Sequence, residues 1–163
     1  MISLAAINAM DDAAFVQNLA DIAEHSPWVA ASVIRPFLSR ADMIEKFSAA
    51  VLHADEELQL SLLRAHPDLA TRAKLTVDSR HEQKGAGLDN LSSEEFEKFI
   101  LLNTQYKSRN GFPFIFAVKG ATKYQILDSF ESRIHNTKQE EFAMALRQVC
   151  KIIGFRLESR VSE

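Results

Sequence analysis

Cysteine, glycine and proline are scarce in this chain, and each scarcity excludes something. Among 163 residues there is one cysteine, Cys150. An internal disulfide is therefore impossible, and a reducing compartment is the expected setting. The five glycines and four prolines cluster at apparent element boundaries. They leave no stretch with the composition of a flexible linker, which predicts one compact domain over residues 1–163. A basic excess is also missing: Lys and Arg number 19 against 22 Asp and Glu, a net charge of -3. That argues against a nucleic-acid platform. No apolar run approaches the about 20 residues of a membrane span, so no membrane partner is expected. The opening MISLAAINAMDD lacks the basic n-region of a secretory signal. The closing RVSE is not an SKL-type peroxisomal address, which leaves the cytoplasm as the default expectation. Internal repeats, low-complexity tracts and sustained heptads are absent as well.

What remains is an ordinary globular composition, 47% hydrophobic and 25% charged, patterned at helical spacing almost throughout. Asp11 or Asp12 can cap a helix carrying Phe15, Val16, Leu19, Ile22 and Ala23. Ser26-Pro27 ends it, and a short apolar helix with Trp28, Val29, Val33 and Ile34 runs up to Pro36. Ser39 opens the next, with Met43, Ile44, Phe47 and Val51 on one face. Leu58, Leu62 and Ala65 line a fourth. Ser92 with Glu95, and Thr137 with Glu140, have capping-box spacing ahead of two further helices. The first presents Phe96, Phe99, Ile100 and Asn103 and stops near Arg109-Asn110-Gly111. The second carries Phe142, Ala145, Leu146, Val149, Ile152, Ile153 and Leu157, interrupted by Gly154. Between them, residues 123–133 read as a helix with Tyr124, Leu127 and Phe130 inside. The prediction is an all-α domain of about eight helices. Its one exception is the run Phe112-Pro113-Phe114-Ile115-Phe116-Ala117-Val118. That run has strand-like composition but no second strand to pair with, so an extended segment threaded among helices is expected.

The polar chemistry concentrates in residues 62–88, LLRAHPDLATRAKLTVDSRHEQKGAGL. Pro67 disfavours α geometry at His66, so the helix from about Asp55 should end there and leave an imidazole at a helix terminus. If residues 79–83 are helical, Ser79, Glu82 and Gln83 share a face. A histidine, a carboxylate, a hydroxyl and an amide suit the binding of a small polar molecule and the movement of a proton. Two structural readings stand beside this. Ser79 and Glu82 also have the spacing of a capping box, with Ser79 as N-cap. His66-Pro67-Asp68 also reads as a plain helix stop, with Asp68 capping the next element. Spacing alone leaves these open.

The wording of the stretch goes further. HPDLA at 66–70, Ser79-x-x-Glu82-Gln83, AGL at 86–88, LN at 102–103, Tyr106 and Gly111-Phe112-Pro113-Phe114-Ile115 occur in that order. Arg35-Pro36-Phe37 precedes them, and Arg133, Asn136, Glu140 and Arg156-Leu157 come after. Together they resemble the OHCU decarboxylase family, the 2-oxo-4-hydroxy-4-carboxy-5-ureidoimidazoline decarboxylases. These act at the third step in converting urate to allantoin. One position departs: Asn110 stands where the family usually has an aromatic before Gly-Phe-Pro-Phe.

The resemblance implies a decarboxylation that yields (S)-allantoin. OHCU, the small-molecule substrate, carries its carboxylate and hydroxyl on one ring carbon beside a ring C=N. That imine accepts the electrons released with carbon dioxide, so no cofactor and no metal are expected. His66 would be the acid/base group, since imidazole titrates near neutral pH. Glu82 would orient it and hold the substrate. Binding would fall to Pro67, Ser79, Arg80, His81, Glu82 and Gln83, and to the backbone of Phe114, Ile115, Phe116, Ala117 and Val118. Of these, His81 would point away from Ser79 and Glu82 on a helix, because adjacent positions diverge by about 100°. His25, His53 and His135 are expected at the surface. The family resemblance also implies a homodimer. Two other classes fit parts of the sequence. A metal-dependent hydrolase would use His66, Asp68, His81 and Glu82 but has no H-E-x-x-H or C-x-x-C. A non-catalytic helical interaction module would not require the polar cluster.

Overall fold

The computed structural model describes residues 1–71 and 75–163 and is all-α, as the periodicity predicts. Nine helices occur among the described residues. In chain order they are α1 (Leu4–Ala9), α2 (Asp12–Leu19), α3 (Trp28–Ala31), α4 (Arg40–Leu52), α5 (Glu56–Ala65), α6 (Val77–Gly85), α7 (Ser93–Asn110), α8 (Lys123–Arg133) and α9 (Lys138–Arg160). Two compact units emerge. One comprises Met1–Ala65 with Cys150–Glu163, the other His66–Val149, and α9 supplies residues to both.

In the first unit, local chemistry places the helix starts. Asp11 accepts from the Ala14 N–H at 2.7 Å and Ser39 from the Asp42 N–H at 3.1 Å, so each satisfies an otherwise orphaned donor. The core is aromatic: Phe37 lies 5.9 Å from Phe15 and 6.4 Å from Phe47, centroid to centroid. Arg156 of α9 pairs with Glu24 at 3.0 Å, both buried, and its guanidinium also donates to the Ile22 carbonyl. A feature the periodicity did not announce is a two-residue parallel pairing. Strand β1 (Ile2–Ser3) lies beside β2 (Val161–Ser162), with Ile2 opposite Val161. A Cβ placed at Gly154 would sit 3.5 Å from the Ile44 side chain, an ordinary contact, so packing there does not demand glycine.

In the second unit, both arms of the Ser92–Glu95 box form at the start of α7. Gly111 ends that helix with φ 80°, a left-handed C-cap that glycine adopts without strain. The Thr137–Glu140 box also forms, and α8 opens on a third, Thr122 with Gln125. The apolar stripe of α7 is offset from the expected one. Phe99, Leu102, Asn103 and Tyr106 are buried, at i, i+3, i+4 and i+7. Ile100 is rotated off that stripe and 41% exposed, and Phe96, a turn earlier, is 40% exposed. Tyr124 is likewise exposed, while Ile126 and Phe130 form the inward face of α8. Residues 113–118 are neither helix nor paired strand, as expected, and Phe114 stacks on Phe130 at 3.8 Å.

Candidate active site

His66 lies immediately beyond the last residue of α5, where the following proline stops the helix. It is the one buried histidine of five; His25, His53, His81 and His135 are exposed. Its ring carries a buried Nε2. The loop beyond it is held at several points. Asp68 does not cap a helix; its carboxylate takes a 2.8 Å contact from Lys107 Nζ of α7. Ala70 adopts φ 59°, a left-handed conformation unusual for a residue with a Cβ. The Leu69–Ala70 peptide is gripped from both ends. Asn103 Nδ2 donates to the Leu69 carbonyl at 2.9 Å, and the Ala70 N–H donates to Gln83 Oε1 at 3.1 Å. Such strain persists where surrounding contacts over-determine the backbone, and here two amide side chains from different helices do so.

Helix α6 presents the polar set. Its N-cap is Thr76, whose hydroxyl accepts from the Ser79 N–H at 3.2 Å. The capping-box reading with Ser79 as N-cap is thereby overturned: Ser79 is the third helical residue. Its side chain stands on the buried face with Gln83, i to i+4. Glu82 is half-buried, while Arg80 and His81 point to solvent. The Gln83–Ala70 bond ties this helix to the loop that carries His66. It also settles the amide's orientation. A backbone N–H can only donate, so Oε1 is the atom facing it and Nε2 is the face left for other partners.

The extended segment is secured by side chains rather than by another strand. Arg133 Nη1 donates to the Ile115 carbonyl at 2.8 Å, and the Ala117 N–H donates to Gln148 Oε1 at 2.9 Å. The Arg133 guanidinium also lies 4.3 Å from the centre of the Phe114 ring. Behind it, Glu141 is fully buried and takes Arg133 at 2.8 Å, Asn136 at 2.8 Å and the Tyr106 hydroxyl. Burial, reinforced by this carboxylate, pushes the Tyr106 phenol well above its ordinary range. Two of the backbone groups that the sequence left available for a ligand, the Ile115 C=O and the Ala117 N–H, are thus already engaged.

A cavity of about 570 Å³ borders the same helix, with Ala70, Arg80, Gln83, Leu88 and Phe96 in its wall; His66, Ser79 and Glu82 do not line it. Of the would-be metal set, Asp68 is paired with Lys107 and His81 is exposed. Asn110, the departure from the family pattern, donates back to the Tyr106 carbonyl at 3.1 Å. Sequence reasoning assigned no role to Lys107, Gln148, Glu141 or the amide of Asn103. The only signal was that Asn103 and Gln148 interrupt or flank apolar stripes with a hydrogen-bonding side chain.

Against known proteins, residues 8–158 match the family model described as OHCU decarboxylase. A 2-oxo-4-hydroxy-4-carboxy-5-ureidoimidazoline decarboxylase of Haloferax volcanii is 42% identical over 99% of this chain and 97% of its own length. The uric acid degradation bifunctional protein PucL of Bacillus subtilis is 39% identical over 100% of this chain, which spans only 33% of that longer protein. Among solved structures, an (S)-allantoin synthase superposes with a TM-score of 0.81 at 30% identity, covering 98% of this chain and 54% of that one.

Proposed function

The chain belongs to the OHCU decarboxylase family, and from that premise we propose that it converts OHCU to (S)-allantoin, with His66 as the acid/base group and Glu82 as its orienting partner. The reaction breaks the bond between the ring carbon and its carboxylate. The released electron pair passes into the adjacent ring C=N, whose nitrogen takes up a proton. The hydroxyl on the same carbon loses its proton and becomes a carbonyl, and the neighbouring carbon takes a proton on one face. These steps ask the protein to hold one enantiomer and to move protons, which an imidazole does at modest cost near neutral pH.

The observation that carries this reading is the placement of His66. It is the buried histidine, fixed at a helix stop. Its loop is bonded to the helix bearing Ser79, Glu82 and Gln83. Pro67 and residues 79–83 would line one side of the substrate. Within that run Arg80 and His81, both exposed, would contribute their backbone or reach in from the rim. The backbone of residues 114–118 would line the other. The same proposal includes a homodimer and a cytoplasmic location. Among the described residues no helix is long and apolar enough to cross a membrane.

The test follows the circular dichroism of OHCU made in situ from urate. OHCU decays unaided to racemic allantoin, so handedness is the informative signal. Wild-type protein should produce one-handed allantoin rapidly. His66→Asn should abolish that signal and Glu82→Gln should slow it by about 100-fold or more, as for loss of a positioned acid/base group. A folded His66→Asn variant at the wild-type rate would remove His66 from the mechanism.

A further inference from the structure

In an extended run, residues two apart turn their N–H and C=O groups to the same side and the residue between turns them to the other. Residues 115 and 117 are the two whose backbone groups are bound by Arg133 and Gln148. The N–H and C=O of Phe116 therefore belong to the opposite edge. No hydrogen bond from the described residues engages them, and Phe116 is the half-exposed member of a segment otherwise buried from Phe112 to Val118.

We propose that Gln148 and Arg133 are positioning residues. By occupying the Ala117 N–H and the Ile115 C=O, they set the rotation of the segment and turn the Phe116 edge toward the substrate. This rests on the reading that residues 114–118 contact the substrate. It adds which edge is offered, what holds it, and the ligand edge that it fits. A residue whose own N–H and C=O face outward side by side complements a ring edge with an adjacent C=O and N–H, as in a cyclic amide or urea. The two clamps differ in depth. Arg133 is locked into the buried Glu141 network, so its removal would disturb the whole unit. Gln148 is half-buried on α9, and among the described residues its one other bond is a long contact to the Met144 sulfur. Gln148 is therefore the position at which rotation of the segment can be changed without breaking the core.

The chemistry of the Gln148 contact also supplies its control. Only an oxygen acceptor is used. Gln148→Glu keeps the acceptor, whereas Gln148→Leu keeps the bulk and loses it. With OHCU generated in situ, KM, kcat, product handedness and the thermal midpoint are measured for the wild type and both variants. Gln148→Leu should raise KM about tenfold with a smaller change in kcat, the signature of lost ground-state binding, and should lower the excess of one-handed product. Gln148→Glu should keep KM within about twofold of the wild type. An active wild type beside a Gln148→Leu variant with unchanged KM overturns this proposal alone. So does a Gln148→Glu variant as impaired as Gln148→Leu, since the side chain would then act through packing. Racemic product at the background rate from the wild type overturns the decarboxylase reading, and the proposal with it.

Discussion

Tyr106 sits fully buried with its hydroxyl donating to the Glu141 carboxylate, which also receives Arg133. The charge on Glu141 is tolerable in the interior because three donors share it. Its effect on Tyr106 has a definite sign. Burial and the carboxylate raise the phenol's pKa above 10.0 in the folded chain. Between 10.0 and that raised value the unfolded tyrosine has lost its proton and the folded one has kept it. The folded state then binds more protons, so this contribution is complete below pH 10.0 and is lost as pH rises above it. The loss should approach about 1.4 kcal/mol per pH unit. Tyr106→Phe should cost about 1.5–3 kcal/mol near neutral pH, through the lost bond to a charged acceptor. It should also flatten the alkaline decline. Urea unfolding of both proteins from about pH 9 to about pH 11 checks this, and equal slopes would contradict it. At this scale the sequence named His66, Ser79 and Gln83 as candidates, and all three are buried. The pairing of Asn103 and Gln83 on one peptide was not legible, because an amide side chain announces capacity to hydrogen bond but not a partner 34 residues away.

Among the elements, α6 is the one on which the proposed site depends most and whose start was hardest to read. Any hydroxyl or carboxylate can serve as N-cap, because the group it satisfies is the backbone N–H of the residue three ahead, and nearly every residue has one. Thr76 and Ser79 both qualified, and the Glu82 three residues beyond Ser79 made Ser79 the more conspicuous of the two. The fold selects Thr76, so that Ser79 enters the helix on its buried face. Thr76→Ala should cost about 1 kcal/mol and fray the first turn of α6, while Thr76→Ser should behave as wild type. Hydrogen exchange at residues 79–83 reports this directly: faster exchange in Thr76→Ala alone is expected, and unchanged protection would show that the cap does not hold the site helix. Elsewhere the caps were legible where two mutually bonding residues occur three apart, as at Ser92 and Glu95. The stop at His66 was equally legible, since Pro67 acts through its own ring on the residue before it.

For the whole molecule, the boundary between the two compact units falls inside α9, between Val149 and Cys150. A helix propagates cooperatively and does not melt cleanly at an interior residue. We therefore propose that residues 1–163 unfold as one domain. With the proposed homodimer, chemical unfolding should show one transition by fluorescence and by circular dichroism. Its midpoint should rise with protein concentration, because association stabilises only the folded chains. Two separated transitions would refute the single domain, and a midpoint independent of concentration would refute the dimer.

The amino-acid sequence by itself determined the helices, most of their ends and the family, since these arise from spacings of a few residues and from the order of short motifs. Only the tertiary structure decided which backbone groups of residues 114–118 are taken up by side chains. That choice is made by Arg133, 18 residues from Ile115, and by Gln148, 31 residues from Ala117. Contacts at that separation leave no periodic trace in a single chain. Their energy is realised only when packing brings the side chain and the peptide group together.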